Sequence, residues 1–259
     1  MIDILKAKIA FKEYAKNYDL EDKKIKLKIA HMERTSKIAR EIAKDLELSE
    51  EDIGLAELIG LLHDIGRFEQ IEKYHTFNDR KSVNHAECGV KVLFEEGKIR
   101  DFIETDKYDE IIKTAILNHN RNYIEEGLDA RKLVHAKIIR DADKTDILYI
   151  LTFDEIKTIY ETDNMQKEKI SDEIYREYIE DREIDYGQRK SAADSSVGHF
   201  AYIFDFNFTY GLKYIEKNQY LDKFYNRFKD FEDEKTKERY EKIYKLAKEY
   251  IREKIDEGW

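Results

Sequence analysis

Proline is absent from the 259 residues, and the chain contains only ten glycines and a single cysteine, Cys88. One cysteine excludes a disulfide framework and a cysteine-rich zinc ribbon, and it favours a reducing compartment. Because prolines and glycines are so few, helices meet few interruptions and hairpin turns have few signals. The chain is therefore predicted to be all-α.

Long apolar runs and an excess of basic residues are also missing. No stretch approaches the roughly 18 consecutive apolar residues of a membrane span, and Asp3, Lys6 and Lys8 interrupt the N-terminal segment where a secretory core would lie. Acidic residues outnumber basic ones by 57 to 47, which gives a net charge of −10. This is the wrong sign for holding duplex nucleic acid through its phosphates. We expect a cytoplasmic protein with no membrane and no duplex nucleic acid as partner.

The apolar residues recur at helical spacing and predict a bundle of amphipathic helices. A capping-box pattern at Ser49–Asp52 begins a nearly all-apolar segment that we expect to be central, with Gly66 as its left-handed stop. Residues 67–83 and 187–198 lack a clean period and are predicted to be loops.

The composition becomes more charged after residue 150. We therefore expect a core over residues 1–150 and a C-terminal helical extension over 151–259 that packs on it, or one continuous domain. The aromatic residues between 200 and 231 are expected to form core rather than a surface that stacks on bases.

Six polar residues fall on apolar helical faces. They are His31, His63, Asp64, His85, His119 and Asp143. Burying such groups costs several kcal/mol unless they are paired or coordinated, so the pattern predicts one shared cation cluster. Neighbours on a helix point about 100° apart, so His63 and Asp64 share an ion only near a helix end, where Asp64 can also reach a second ion. Asp141 competes with Asp143, but the apolar stripe favours Asp143.

The order His31, His63-Asp64 and Asp143 resembles the motif of the HD-domain metal-dependent phosphohydrolases, an all-α superfamily. His85 and His119 resemble its six-ligand, two-metal branch, which includes cyclic-dinucleotide phosphodiesterases and diadenosine tetraphosphate hydrolases. The resemblance covers Ile25 to Ile150. The chain departs from the pattern in two ways. A chain without proline cannot contain the Gly-Tyr-Pro signature, which disfavours the cyclic di-GMP subclass, and Arg67 stands where relatives often have lysine.

The resemblance implies an HD-domain helical bundle with additional C-terminal helices. It places His31, His63, Asp64 and Asp143 on one metal ion, with Asp64 bridging to a second ion on His85 and His119. The two ions would be divalent transition metals, with Fe, Mn, Ni, Co and Zn all compatible with these ligands. A metal-activated hydroxide would hydrolyse a phosphate ester or anhydride of a small molecule, such as a nucleotide, as a phosphomonoesterase or phosphodiesterase.

Three cations join Asp64 as candidates for the chemistry. Arg67 and Lys144 are proposed as catalytic and substrate-binding residues, and Arg34 as a further substrate contact; for all three, a surface salt bridge is an equally weighted alternative. Two other functions stay open: an HD-fold di-iron oxygenase, and a non-catalytic sensor that binds a nucleotide. A single-metal nucleotidase would leave His85 and His119 without a second ion.

Overall fold

The computed structural model describes residues 2–185 and 187–258, and it contains no β-strand within them. The prediction of an all-α fold is confirmed. No helix in this described part is both long and apolar enough to cross a membrane. In chain order the α-helices are α1 (Ile4–Ala15), α2 (Lys23–Asp45), α3 (Glu50–Leu62), α4 (Gly66–Tyr74), α5 (His85–Val90), α6 (Ile99–Phe102), α7 (Asp109–His119), α8 (Ala130–Phe153), α9 (Ile156–Tyr160), α10 (Asp172–Glu180), α11 (Ala192–Ala201), α12 (Thr209–Asn218), α13 (Tyr220–Phe228) and α14 (Glu234–Asp256).

The chain divides into two compact units, Met1–Asp146 and Ile147–Trp259, and the division falls within α8. Each unit has its own cluster of buried apolar side chains. The domain boundary expected after residue 150 stays a prediction.

In the first unit, α2 and α3 pack at very short range. A Cβ added at Gly60 of α3 would lie 2.7 Å from the Cα of Ser36 in α2, so only glycine fits at this crossing. The hydroxyl of Ser36 donates a hydrogen bond of 2.7 Å to the carbonyl of Glu57, which fixes the same contact. The predicted capping box is confirmed, because Ser49 precedes α3 and accepts a hydrogen bond from the amide of Asp52.

The segment after α3 differs from the prediction. Residues 66–74 form helix α4 rather than the start of a loop, and Gly66 is its first residue and not a left-handed stop. A Cβ at Gly66 would lie 2.2 Å from the carbonyl oxygen of His85 and 2.4 Å from the amide nitrogen of Gly89. Gly66 therefore serves the close approach of α4 and α5. The left-handed position is His75, which ends α4 with a φ of 55°.

The second unit has an aromatic core. The expectation that the aromatic residues between 200 and 231 pack internally agrees with the structure, where Phe200, Phe224 and Phe228 are fully buried. The loop predicted over residues 187–198 is wrong in its second half, where α11 begins at Ala192 after the N-cap residue Ser191.

Candidate metal centre

The six sequence-predicted ligands come together inside the first unit, carried by different helices. His31 lies on α2, His63 and Asp64 follow the last turn of α3, His85 begins α5, His119 ends α7 and Asp143 lies on α8. Their donor atoms form three overlapping groups, and within each group all donor atoms lie within 4.8 Å of one another. The groups are His31, His63 and Asp64; His63, His119 and Asp143; and Asp64, His85 and His119.

Two of the histidines are oriented by their own helices. Nδ1 of His63 donates to the carbonyl of Gly60 at 2.9 Å, and Nδ1 of His119 donates to the carbonyl of Ile116 at 2.6 Å. Both bonds reach back three residues at a helix C-terminus, where carbonyls have no partner within the helix. A carbonyl only accepts, so Nδ1 carries the proton and the neutral ring keeps its lone pair on Nε2.

The other two histidines are oriented by carboxylates distant in sequence. Nδ1 of His31 lies 2.7 Å from Oδ2 of Asp146, and Nδ1 of His85 lies 2.6 Å from Oδ2 of Asp79. An ionised carboxylate only accepts, so these rings also keep Nε2 free for a metal ion when neutral. Such pairing of a ligand histidine with a carboxylate is the usual way in which proteins fix the tautomer of a metal ligand.

The inward nitrogens lack the partners that buried polar atoms normally have. Nε2 of His85 and Nε2 of His119 lie 3.0 Å apart, although each ring presents a lone pair to the other. Nε2 of His63 is buried and has no hydrogen-bond partner among the described residues. Two ligand atoms that each lie about 2.1 Å from one ion, at an angle of about 90°, are about 3 Å from each other. One cation therefore fits between Nε2 of His85 and Nε2 of His119. The donor set therefore fits a divalent metal.

Asp64 lies between the histidines, with one carboxylate oxygen facing each side. Oδ2 is 3.6 Å from Nε2 of His31 and 3.7 Å from Nε2 of His63. Oδ1 is 3.3 Å from Nε2 of His85 and 3.6 Å from Nε2 of His119. This geometry suits a carboxylate shared between two adjacent cation positions.

Asp143, rather than Asp141, supplies the last carboxylate of the cluster. Its Oδ1 lies 3.0 Å from Nε2 of His31 and 3.5 Å from Nε2 of His63. Burial would raise the pKa of Asp143, but the adjacent imidazoles of His31 and His63 hold the pKa well below the ordinary value. The choice made from the apolar stripe therefore agrees with the geometry.

Burial and charge set the protonation states around Asp64. Burial, followed by the charge of Arg67, lowers the pKa of His85 to about 3, and burial also lowers the pKa of His63. Burial would raise the pKa of Asp64, but the charge of Lys28 and the neighbouring imidazoles hold that pKa well below its ordinary value. Neutral imidazoles around an ionised carboxylate are the forms that bind a metal ion.

His31 behaves differently because carboxylates face both of its nitrogens. Burial and the charge of Lys28 would lower the pKa of His31, but the carboxylates of Asp143 and Asp146 beside its two ring nitrogens outweigh them and raise the pKa. A metal ion at Nε2 would compete with a proton for this ring, which would make metal binding depend on pH.

Arg67 lies beside Asp64 and is held by the loop that follows α4. Its Nη1 donates to the carbonyl of Phe77 and to Oδ1 of Asp79, each at 2.8 Å, and also bonds the side chain of Gln70. Its Nε is buried 3.6 Å from Oδ1 of Asp64 and has no hydrogen-bond partner in the described residues. One edge of the guanidinium thus fixes the loop, while Nε faces the cluster.

The two other sequence-predicted cations occupy different settings. Arg34 binds both oxygens of Asp146, with Nε 2.6 Å from Oδ1 and Nη2 3.0 Å from Oδ2. It therefore orients the carboxylate that holds His31. Lys144 follows Asp143 on α8 and is buried. The substrate contacts assigned to these residues stay predictions.

Sequence reasoning missed three residues of this centre. Lys28 and Asp146 each lie three positions from a candidate ligand on the same helix, His31 and Asp143 respectively, so a search along those faces could have found them. Asp79 lies in the loop after α4, where no periodicity marks it.

Residues 29–148 match the family model of the HD domain, and this stretch contains all six candidate ligands. The match supports the HD superfamily, whose members are generally metal-dependent hydrolases. No curated protein and no solved structure matches the chain. The match supports the resemblance found in the sequence at the level of the superfamily, while the six-ligand, two-metal branch stays a prediction.

Proposed function

We propose that the chain is a phosphohydrolase that uses two divalent transition-metal ions to hydrolyse a phosphate ester or anhydride of a small molecule, with nucleotides as the first class to test. The observation that carries the proposal is the convergence of four Nε2 atoms on the two oxygens of Asp64, with each Nδ1 committed to an acceptor. The net charge of −10 favours a small substrate over an extended nucleic acid.

The proposed ligands divide between two positions. His31, His63 and Asp143 would hold one ion through Nε2 and carboxylate oxygen, and His85 and His119 would hold the other, with Asp64 shared. When bound, such a pair of ions lowers the pKa of a coordinated water and neutralises phosphoryl oxygens. The ligands contain no thiolate, so Fe, Mn, Ni, Co and Zn are all compatible.

The protein's own contribution to the proposed reaction is positioning and charge. The Nδ1 hydrogen bonds fix each imidazole in one tautomer, so the ligands need little reorganisation. Nε of Arg67 is the donor best placed for a phosphoryl oxygen, because it is buried beside Asp64 with no partner among the described residues. Lys144, next to Asp143, and Arg34 complete the proposed substrate contacts.

The first experiment is elemental analysis of protein purified without chelator. About two transition-metal ions per chain would support the two-metal site. About one ion per chain would favour a single-metal nucleotidase and leave His85 and His119 for acid–base or substrate contacts. No bound metal, and no uptake on titration, would overturn the proposal.

The second experiment measures turnover under anaerobic conditions with a panel of phosphomonoesters, phosphodiesters and nucleotides. We expect release of phosphate or nucleotide with redox-inert Mn²⁺ or Zn²⁺, which an oxygenase would not give. His63→Ala and Asp64→Ala should abolish turnover and keep the helical circular dichroism spectrum. The matched control is His75→Asn, at an exposed left-handed position outside the cluster, which asparagine tolerates. Unchanged activity in either cluster variant, or tight nucleotide binding without turnover, would contradict the hydrolase.

A further inference from the structure

Lys28 places a buried ammonium group directly against the shared carboxylate. It lies on α2 one turn before His31, and its side chain is only 11% exposed. Its Nζ donates a hydrogen bond of 2.6 Å to Oδ2 of Asp64. A buried ammonium is costly without a counter-charge, so this pair satisfies both partners in the metal-free chain.

The surroundings of Lys28 are strongly cationic. Its Nζ lies 5.4 Å from the centre of the Phe77 ring, and the same ring has Nζ of Lys24 at 5.7 Å and the guanidinium of Arg67 at 5.8 Å. Lys24 also donates to the carbonyl of His75. Three cations thus lie around one ring, and two of them, Lys28 and Arg67, also lie beside Asp64.

The oxygen that Lys28 binds is the oxygen that faces the His31 and His63 side of the centre. Oδ2 of Asp64 lies 3.6 Å from Nε2 of His31 and 3.7 Å from Nε2 of His63. A divalent ion bound by these nitrogens and by Oδ2 would lie close to the ammonium. Two positive charges a few ångströms apart in a poorly solvated site repel each other strongly, so ion and ammonium compete for this oxygen.

We propose that Lys28 is a built-in counter-cation of the metal-free centre, which holds Asp64 in place and is displaced from Oδ2 when the ion between His31 and His63 binds. The inference rests on the proposed metal site and adds a residue that opposes metal binding. Removing this charge has two opposite effects: the metal-free protein loses a buried counter-charge, and the metal ion loses a competitor.

The test is Lys28→Met, which keeps most of the aliphatic length and removes the charge. Metal-stripped wild type and variant are titrated with Mn²⁺ in a calorimeter, and both are melted with chelator and with saturating Mn²⁺. We expect Mn²⁺ to bind about tenfold more tightly at one site. A tenfold change requires the removal of about 1.4 kcal/mol of repulsion. We also expect the metal-free variant to melt below the wild type and the loaded variant to match it.

Two further variants frame the result. Lys28→Arg keeps the charge and should bind Mn²⁺ as the wild type does. Lys26→Met removes an exposed lysine of the same helix, which pairs at the surface with Glu21, and should also bind Mn²⁺ as the wild type does. If Lys28→Met does not fold without metal, Lys28→Gln, which can still donate to Asp64, replaces it in the titration.

The outcomes separate this inference from the proposed function. Unchanged or weaker Mn²⁺ binding by a folded charge-removing variant would overturn the counter-cation role while the metal site stands. Equal loss of stability in the metal-free and loaded forms would likewise show that Lys28 is only structural. If the wild type binds no metal, the proposed function fails and this inference fails with it.

Discussion

Replacing Asp79 by asparagine tests whether the two halves of the centre can be separated. The carboxylate accepts from Nδ1 of His85 on one oxygen, and from Arg67 and Gln70 on the other. If the asparagine carbonyl keeps the bonds to Arg67 and Gln70, its NH₂ group faces the N–H of His85. Two donors then oppose each other, so the imidazole must rotate or move its proton to Nε2, where it blocks metal binding.

The size of the effect follows from the position of Asp79 behind a ligand rather than among the ligands. Loss of such an outer partner costs about 10-fold to 100-fold in metal affinity, which is about 1.4 to 2.7 kcal/mol. The cost should fall on the ion proposed for His85 and His119. The other position keeps its own carboxylate, because Asp146 remains bonded to His31.

The assay is metal content after dialysis against a buffered metal concentration. This concentration lies between the dissociation constants expected for the wild type and for the variant at the position of His85 and His119. Asp79→Asn should retain about one ion per chain under conditions in which the wild type retains about two. Asp101→Asn is the matched control, because this carboxylate is 60% exposed and its ion pair with Lys98 is 3.9 Å long. Retention of both ions at wild-type affinity, or loss of both together, would refute the reasoning.

Two further predictions concern the stability of the first unit. Gly66→Ala should destabilise the protein by about 3 kcal/mol or more in urea titration, since its Cβ would meet backbone atoms of α5 at 2.2 and 2.4 Å. The control is Gly54→Ala, whose Cβ would have its nearest neighbour at 3.6 Å. Equal stabilities of the two variants would contradict the close-packing role of Gly66. Burial would raise the pKa of Asp52, but hydrogen bonds with His135, Ser49 and Arg131 lower it from 3.8 to about 2. The contribution of Asp52 to stability is therefore complete above the unfolded pKa and is lost as the pH falls toward the folded pKa. The difference in unfolding free energy between wild type and Asp52→Asn should therefore shrink between pH 4 and pH 2, and a constant difference would disprove the assignment.

The helical fold and the convergence of the candidate ligands could be predicted because both leave a periodic trace. Polar residues such as His31 and His119 on otherwise apolar faces are anomalies that burial makes costly, and the helical period shows that they point inward. The adjacent pair His63 and Asp64 lies past the last turn of α3, where the two side chains are free to serve one cluster.

The first residues of two helices, α4 and α11, could not be predicted from the sequence in the same way. Gly66 has the composition of a stop signal, but its missing Cβ is used for contact with α5, which only the tertiary structure reveals. The polar residues near Ser191 resemble a loop, yet Ser191 caps α11 and the buried Asp194 accepts hydrogen bonds from the backbone amides of Ser171 and Lys190. Small polar residues that cap helices and join segments therefore have the composition of a loop.

The position of each candidate ligand histidine in its helix decides whether its orienting partner is local. His63 and His119 lie at helix C-termini, where a carbonyl three residues earlier is free to accept from Nδ1. His31 lies within α2, where the carbonyls are occupied, and His85 begins α5 with no preceding turn. These two rings therefore need a remote acceptor, and a carboxylate supplies the orientation together with the negative charge that a divalent ion requires. An inward histidine away from a helix C-terminus thus implies a distant acidic partner, even where the sequence does not say which residue it is.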